Sequence, residues 1–499
     1  MKIKSLAIGI AASALAGKIG RDKKNAVNDQ KYLMQKLVLK AVNTVFGKEH
    51  SFSGIRNYQD FKRNIPLRDY EDYRIYIDMI IKGKPDILWP GIPKYFAKTS
   101  GTTSGIKYIP ITSESMPNHI NTARAALLNY FHIKRKAGIF DGKVMFLSGS
   151  PVLEKKGPIP AGRLSGIVYH EIPFWVKSNQ LPSWETNCID DWEKKVERIA
   201  EETKNQDLRL ISGIPPWVQM YFEKLIAITR KKTIIDIFPN LSLFIYGGVN
   251  YEPYRSKLRE IIGDEIDTLE TYPASEGFFA YQDEPGNAGL LLNTNSGIFY
   301  EFVPVDRSGK TDNIRIMLND VETGVDYELI VNSNSGLWGY QTGDLVRFIN
   351  TDPYKIIVSG RVDHFISAFG EHVIAKEVED AMYKTASKFG YNILEFTVAP
   401  QINPPGNLQP YHEWFIEFAD IPENLISFAI ELNDEMCRQN IYYNDLIKGK
   451  VLQNLKIRML KKNTFREYMK SLGKLGGQNK VPHLSNNRKI AEWLESFCL

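Results

Sequence analysis

Between Lys143 and Tyr272 the chain alternates short apolar runs with longer amphipathic stretches, and this alternation constrains the fold more than any other feature. Lys143 to Leu147, Leu208 to Ile211, Leu241 to Tyr246 and Asp267 to Tyr272 have the length and composition of strands. Trp192 to Thr203 and Trp217 to Thr229, lying between them, read as helices. Successive strands joined by helices run parallel, because the crossover must return to the same edge of the sheet. The pattern therefore predicts a largely parallel α/β sheet.

The pattern changes after Ala288. Gly289 to Leu292, Phe299 to Val303 and Tyr327 to Val331 read as strands joined by turns, an antiparallel barrel or meander. A third pattern begins near Ser359-Gly360-Arg361. Helix Lys376 to Phe389, strands Glu395 to Ala399 and His412 to Phe418, helix Glu423 to Asn440 and strand Leu455 to Leu460 give an αββαβ order. That order suits a small α+β domain with one sheet face covered. The 499 residues are too many for one ordinary core, so two or three domains are expected.

At the N-terminus, Asn25 to Phe46 has helical spacing, with Tyr32, Leu33, Leu37, Val38, Val42 and Phe46 on one face. Before it, Met1-Lys2-Ile3-Lys4 precedes the apolar run Leu6 to Ala16, which is too short to span a membrane. Two readings fit that run: an Ala-rich first helix packed on the body, which we expect, or a signal-like segment over residues 1–16. A net charge of +5 is mild and points to neither nucleic acid nor a membrane as partner. The basic residues are concentrated at the end: from Leu446 onward there are twelve Lys or Arg against three Glu. Either a solvated basic face or a cap approaching a polyanion accounts for them. Cys188, Cys437 and Cys498 are widely spaced and odd in number, which supports neither a zinc knuckle nor a disulfide framework and suits a reducing compartment.

Five segments carry chemistry. The loop Thr99-Ser100-Gly101-Thr102-Thr103-Ser104-Gly105-Ile106-Lys107 combines hydroxyls, two glycines and a lysine. Glycines let backbone N–H groups converge on an anion, and Lys107 adds charge. A Walker loop places Lys directly after its second Gly and then opens a helix. Here Lys107 stands two residues past Gly105, and extended segments flank the loop, so the expectation is a strand–loop–strand phosphate site. The second segment, Thr271-Tyr272-Pro273-Ala274-Ser275-Glu276-Gly277, follows a strand. Glu276 there is either a magnesium ligand or a solvent-facing turn residue, and Tyr272 is a candidate to stack on a purine. The third holds Gly343-Asp344, read as a tight turn between strands whose carboxylate either takes the ribose hydroxyls or is an ordinary turn Asp. The fourth, Gly360-Arg361-Val362-Asp363-His364-Phe365, is a hinge or a charged turn. The fifth, Gly476 to Pro482, offers Lys480, with Lys474 as its rival, to a carboxylate or phosphate; the bland reading is an exposed basic loop.

In this order the segments resemble the adenylate-forming enzymes, and more closely the auxin-responsive acyl acid amido synthetase family, the GH-three family, including its bacterial members. Ile211 to Trp217, Tyr246-Gly247-Gly248, Phe299 to Pro304 and Gln478 to Pro482 add to the likeness, which runs from about residue 55 to about residue 485. Plant members usually carry Arg where Gln341 stands, so a charge contact there is not implied.

The resemblance implies a large N-terminal adenylation domain over 1–358, with α/β sheets and a β-barrel-like subdomain. A hinge over 359–366 and a smaller α+β C-terminal cap over 367–499 would follow. It implies an enzyme that uses ATP and Mg²⁺ to turn a carboxylic acid into an acyl-adenylate, then passes the acyl group to an amino acid. An acyl- or aryl-CoA ligase is the alternative within the same superfamily. Ser100, Gly101, Thr102, Thr103, Gly105 and Lys107 would surround the phosphates. Ser275 and Arg361 would also line the nucleotide site, with Gly247 and Tyr272 near adenine, Asp344 on the ribose and Glu276 on Mg²⁺. Lys480, with Lys107 and Glu276, would neutralise charge in the transition state. Trp175, Ile214 and Trp217 are the acyl-pocket candidates, with core packing as their other reading. A cytoplasmic location is expected, since ATP must be at hand.

Overall fold

The computed structural model describes residues 3–499 apart from 103–104, 136, 173–176, 249–250, 306–313, 362–364, 367, 372, 407 and 473–480. Contacts within the chain define two units. One is Met1–Thr99 with Lys107–Cys188 and Arg198–Val362; the other is Ser100–Ile106 with Ile189–Glu197 and Asp363–Leu499.

The strands up to residue 281 are β1 (Tyr95–Thr102), β2 (Gly105–Ile111), β3 (Lys143–Phe146), β4 (Glu154–Lys156), β5 (Ile159–Gly162), β6 (Gln180–Leu181), β7 (Leu208–Ser212), β8 (Leu243–Gly247), β9 (Asp267–Ala274) and β10 (Gly277–Tyr281). After them come β11 (Leu290–Leu292), β12 (Ile298–Pro304), β13 (Asp326–Ser333), β14 (Tyr340–Thr351) and β15 (Tyr354–Arg361). Four of them, β1, β2, β4 and β5, form a small sheet in the order β2-β1-β5-β4. The others form one sheet in the order β12-β13-β14-β15-β11-β10-β9-β8-β7-β3-β6.

The expected parallel region is the run β6-β3-β7-β8-β9, every neighbour parallel. Leu208, Leu210, Ile211, Leu243, Phe244 and Leu269 in it are almost wholly buried. Continuous apolar runs of this kind are what strands covered on both faces require. The strands after Ala288 take the meander form, β12 to β15 pairing antiparallel in turn. They join the parallel region through β11 and β10, so both patterns share one sheet.

The N-terminal run is part of a single helix, Ile3–Ala41. Ala12, Ile19, Ala26 and Leu33 are buried along it at seven-residue intervals, with Leu37 and Ala41 continuing the stripe. Gln30 fixes its register: the side-chain amide donates to the Thr294 and Ile298 carbonyls at 2.8 and 2.9 Å and accepts from the Tyr300 N–H at 2.8 Å. Tyr32 corrects the predicted face, being 66% exposed beside buried Leu33, because it lies on the far side of the stripe. Among the described residues no helix is long and apolar enough to cross a membrane.

The second unit keeps the αββαβ order. Helix Ala375–Phe389 follows the short hairpin β16 (Phe365–Ile366) and β17 (Val373–Ile374). Then come β18 (Ile393–Gln401), β19 (Tyr411–Phe418), helix Leu425–Gln439 and β20 (Lys456–Met459), in sheet order β18-β19-β20. The expectation of one covered face is corrected, since all of β19 is buried. Helices Thr464–Ser471 and Lys489–Leu494, unforeseen in the sequence pattern, supply Phe465, Met469, Ile490 and Leu494 to a cluster with Phe415 and Ala399.

Candidate active site

The parallel strands end together. In register, Ser212 of β7 pairs with Ile245 of β8, and Gly247, the last residue of β8, pairs with Thr271 of β9. Ligands bind in α/β sheets at this carboxyl edge. A Cβ on Gly247 would lie 2.3 Å from the Thr271 carbonyl oxygen, so only glycine lets the two strands close here. The Thr271 hydroxyl donates to the Tyr246 carbonyl at 2.9 Å and locks the same junction. Gly248 has φ +77°, and the atom nearest a Cβ placed on it is Ile214 Cγ2 at 4.0 Å. Ile214 precedes helix Pro215–Thr229, whose first turn carries the half-buried Trp217. Both acyl-pocket candidates in this segment therefore sit next to the strand ends.

Asp344 reaches this neighbourhood through an irregularity in β14. Gln341 and Leu345 on β14 pair with Ile330 and Glu328 on β13, so β14 spends two more residues over the same span. The surplus makes a bulge at Thr342-Gly343-Asp344, with Gly343 at φ +74°, a conformation a side chain would strain. The Thr342 hydroxyl donates to the Leu329 carbonyl at 2.8 Å and accepts from the Asp344 N–H at 3.2 Å. The predicted tight turn between strands is thus a bulge within one strand. The reason is that the chain reverses later, after Thr351.

Tyr272 closes the arrangement. Its hydroxyl donates to Asp344 Oδ2 at 2.6 Å, joining residues 72 apart in sequence. Its ring is buried and packs edge-on against Phe279, with centroids 5.1 Å apart. Tyr272 thereby presents its hydroxyl end to the half-buried Asp344 carboxylate. Arg361, the last residue of β15, pairs with Asp344 in backbone register.

Ser275 and Glu276 form the two-residue turn between β9 and β10, both half-buried. Asn118 of helix Met116–Lys134 steadies it: its Oδ1 accepts from the Phe278 N–H at 2.7 Å, and its Nδ2 donates to Ser296 Oγ at 2.9 Å. Nothing in the sequence around Asn118 signals this role, because the contact spans 160 residues. Glu276 is a single oxygen donor in a turn. Among the described residues no cluster of three or more His, Cys, Asp or Glu is placed to hold a metal ion.

The phosphate-loop candidates occupy the expected strand–loop–strand setting. Ser100, Gly101 and Thr102 end β1, and Gly105 and Lys107 lie in β2; Thr103 is outside the described residues. The Lys107 ammonium lies 5.7 Å from the centre of the Tyr70 ring, over its face. The Tyr70 hydroxyl accepts from the Tyr108 N–H at 2.8 Å, and burial pushes its pKa up to about 12. The Gln341 amide donates to the buried Glu328 carboxylate at 3.2 Å. Trp175, Lys474 and Lys480 lie outside the described residues.

Three family profiles match this chain: the GH3 family N-terminal domain over residues 15–191, its central domain over 291–361 and its C-terminal domain over 376–489. A jasmonoyl–L-amino acid synthetase, GH3.5 of Oryza sativa subsp. japonica, is 24% identical and the alignment covers 94% of both chains. Among solved structures, the AtGH3.15 acyl acid amido synthetase in complex with 2,4-DB superposes with a TM-score of 0.61 at 17% identity, over 98% of this chain and 96% of that one. A 2-hydroxyisobutyryl-CoA ligase bound to 2-HIB-AMP and CoA gives 0.59 at 13% identity, over 96% and 93%. The last two likenesses establish a shared adenylate-forming fold.

Proposed function

Because the chain belongs to the GH3 family, we propose that it is an ATP-dependent acyl acid amido synthetase, joining a carboxylic acid to the amine of an amino acid through an acyl-adenylate. The observation that carries the reading is the 2.6 Å bond from Tyr272 to Asp344, which brings two nucleotide motifs together at the carboxyl edge of the parallel strands.

In the first step a carboxylate oxygen of the acid bonds to the α-phosphorus of ATP, and pyrophosphate leaves. Such transfer depends on positioning and charge neutralisation. Asp344, set out on its bulge, takes the ribose hydroxyls, while Tyr272 fixes the carboxylate's orientation. Gly247 and Ser275 line the adenine side, with Arg361 at the end of β15. Ser100, Gly101, Thr102, Thr103, Gly105 and Lys107 hold the phosphates, and Lys480 balances charge as pyrophosphate departs. Glu276 fits magnesium, which takes one or two carboxylates and fills its shell from phosphate and water. Bound there, the ion supplies neutralisation of phosphate charge. In the second step the amine nitrogen bonds to the acyl carbon, AMP leaves, and the amine gives up its proton. Residues 359–366 are the hinge between the adenylation domain, 1–358, and the cap, 367–499, and the cytoplasm is the compartment that supplies ATP.

The test is pyrophosphate release from ATP and magnesium over a panel of carboxylic acids, repeated with amino acids and with CoA. Acid-dependent pyrophosphate release and an amide that needs the amino acid are expected. A thioester formed with CoA and no amide would overturn the acceptor in favour of an acyl-CoA ligase.

A further inference from the structure

His483 lies between two carboxylates. Its Nδ1 is 2.7 Å from Glu379 Oε1, and its Nε2 is 2.9 Å from Glu395 Oε1. An ionised carboxylate only accepts, so both ring nitrogens donate, and an imidazole with two N–H groups is the cation. A neutral ring would turn a lone pair on one of the two oxygens. The hydrogen bond to Glu395 raises the pKa of His483 above the ordinary 6.5, and Glu379 adds to it against the opposing effect of burial. Glu379 comes from helix Ala375–Phe389 and Glu395 from β18. Arg488, the next cation along the chain, is turned to Glu413 and Glu495. The imidazole stacks on Phe396 with centroids 4.4 Å apart, and Phe396 stacks in turn on the buried Trp414.

This cation fastens a strip of chain to the free edge of β18. The Thr397 hydroxyl donates to the Pro482 carbonyl at 2.6 Å. The Val398 N–H donates to the His483 carbonyl at 3.0 Å, and the Ser485 N–H donates to the Val398 carbonyl at 2.9 Å. Leu484, wholly buried, pairs with Val398 in parallel register. A strip held by so few backbone bonds opens easily and depends on its side-chain anchors. Val481 and Leu484 anchor it by burial at any pH; His483 is the anchor that a proton controls. Lys480 stands two residues before Pro482, so the fastening of Pro482 sets the point from which Lys480 reaches.

We propose that His483 is a positioning residue for Lys480: as a cation bridging Glu379 and Glu395 it fastens Pro482 to Ser485 on β18, and it lets go when it loses its proton. The inference rests on the reading of Lys480 as the residue that balances charge while pyrophosphate leaves. A group whose pKa is raised on folding contributes its hold fully below its ordinary value and loses it as pH rises through the raised one. Adenylation therefore falls on the alkaline side.

The experiment reads two quantities in the full-length protein from about pH 6 to about pH 10. One is the single-turnover rate constant of pyrophosphate release with ATP, magnesium and one acid, amino acid omitted so that no amine titrates. The other is hydrogen exchange at the Ser485 amide, corrected for its intrinsic pH dependence. In wild type the rate constant falls about tenfold along an alkaline limb, and Ser485 loses protection over the same range. His483→Arg, which keeps the charge and donors for both carboxylates, holds both quantities level there. His483→Gln is low in rate and in protection at every pH and has no limb. A residue that only packs alters the folded yield and leaves the limb where wild type has it. A limb unchanged in both variants, or a wild type without one, overturns the assignment, as does full Ser485 protection in His483→Gln. No pyrophosphate release by wild type with any acid, or Lys480→Ala equal to wild type, while Ser485 protection still follows His483, marks the failure of the Lys480 reading, and the positioning role falls with it.

Discussion

Two aspartates of the large sheet have opposite surroundings. Asp283, just past β10, is 1% exposed and has an ammonium on each oxygen: Lys23 at 2.6 Å on Oδ2 and Lys355 at 3.0 Å on Oδ1. Burial on its own would depress the Lys355 ammonium, but Glu284 and Asp283 together hold it above its usual range. Asp344 is half-buried, and a neutral hydroxyl meets its Oδ2. The first cluster neutralises its own charge and ties helix Ile3–Ala41 to the sheet. In the second, the Tyr272 hydroxyl is one of the contacts of a half-buried carboxylate. Removing one partner of a buried ion pair is strongly destabilising, whereas a carboxylate at the carboxyl edge of parallel strands stands where α/β sheets bind ligands.

The largest expected effect tests the first half of that contrast. Asp283→Ala leaves Lys23 without this carboxylate and Lys355, only 9% exposed, with Glu284 alone, and should cost about 3 kcal/mol in chemical denaturation. Its AMP formation per folded molecule should stay near wild type; a large loss of turnover in the folded fraction would break the comparison.

Next comes pH. The buried His119 titrates at about 4, below the ordinary value of 6.5. Between those values the unfolded chain binds a proton that the folded one does not, so stability falls as pH drops from about 6.5 to 4, by about 3 kcal/mol. His119→Gln should flatten that part of the stability curve; an unaltered slope would remove His119 as its source.

Asp344→Ala should cut kcat/KM for ATP about 100-fold, a loss of about 3 kcal/mol in the transition state, while shifting stability by about 1 kcal/mol or less. A reversed pattern, with stability lost and turnover kept, would make Asp344 another structural anchor. Tyr272→Phe has the smallest effect. It removes one hydrogen bond to the carboxylate, about 1–2 kcal/mol, and should raise KM for ATP about tenfold. A variant equal to wild type would reduce the Tyr272 contact to packing.

Much of the architecture was legible in the chain. The apolar runs that became β3 and β8 are continuous because parallel strands are covered on both faces, and that composition survives without knowledge of partners. Helix Trp192–Thr203 begins and ends where its amphipathic spacing predicts. Tyr32 was misplaced because helical spacing gives a periodicity without saying which neighbouring residue turns inward. The second covered face of β19 was missed because the helices that cover it lie far along the sequence.

The sequence by itself determined the alternation of strands and helices, the order of the segments that resemble the family's motifs, and the glycines at 247 and 343 that only a close approach or a positive φ demands. It held these because each is a local matter of periodicity, spacing or backbone freedom. Tertiary structure decided that Gly343-Asp344 is a bulge and that Tyr272 turns its hydroxyl to Asp344. These depend on register between segments tens to hundreds of residues apart, and register is set by the packing of the whole sheet.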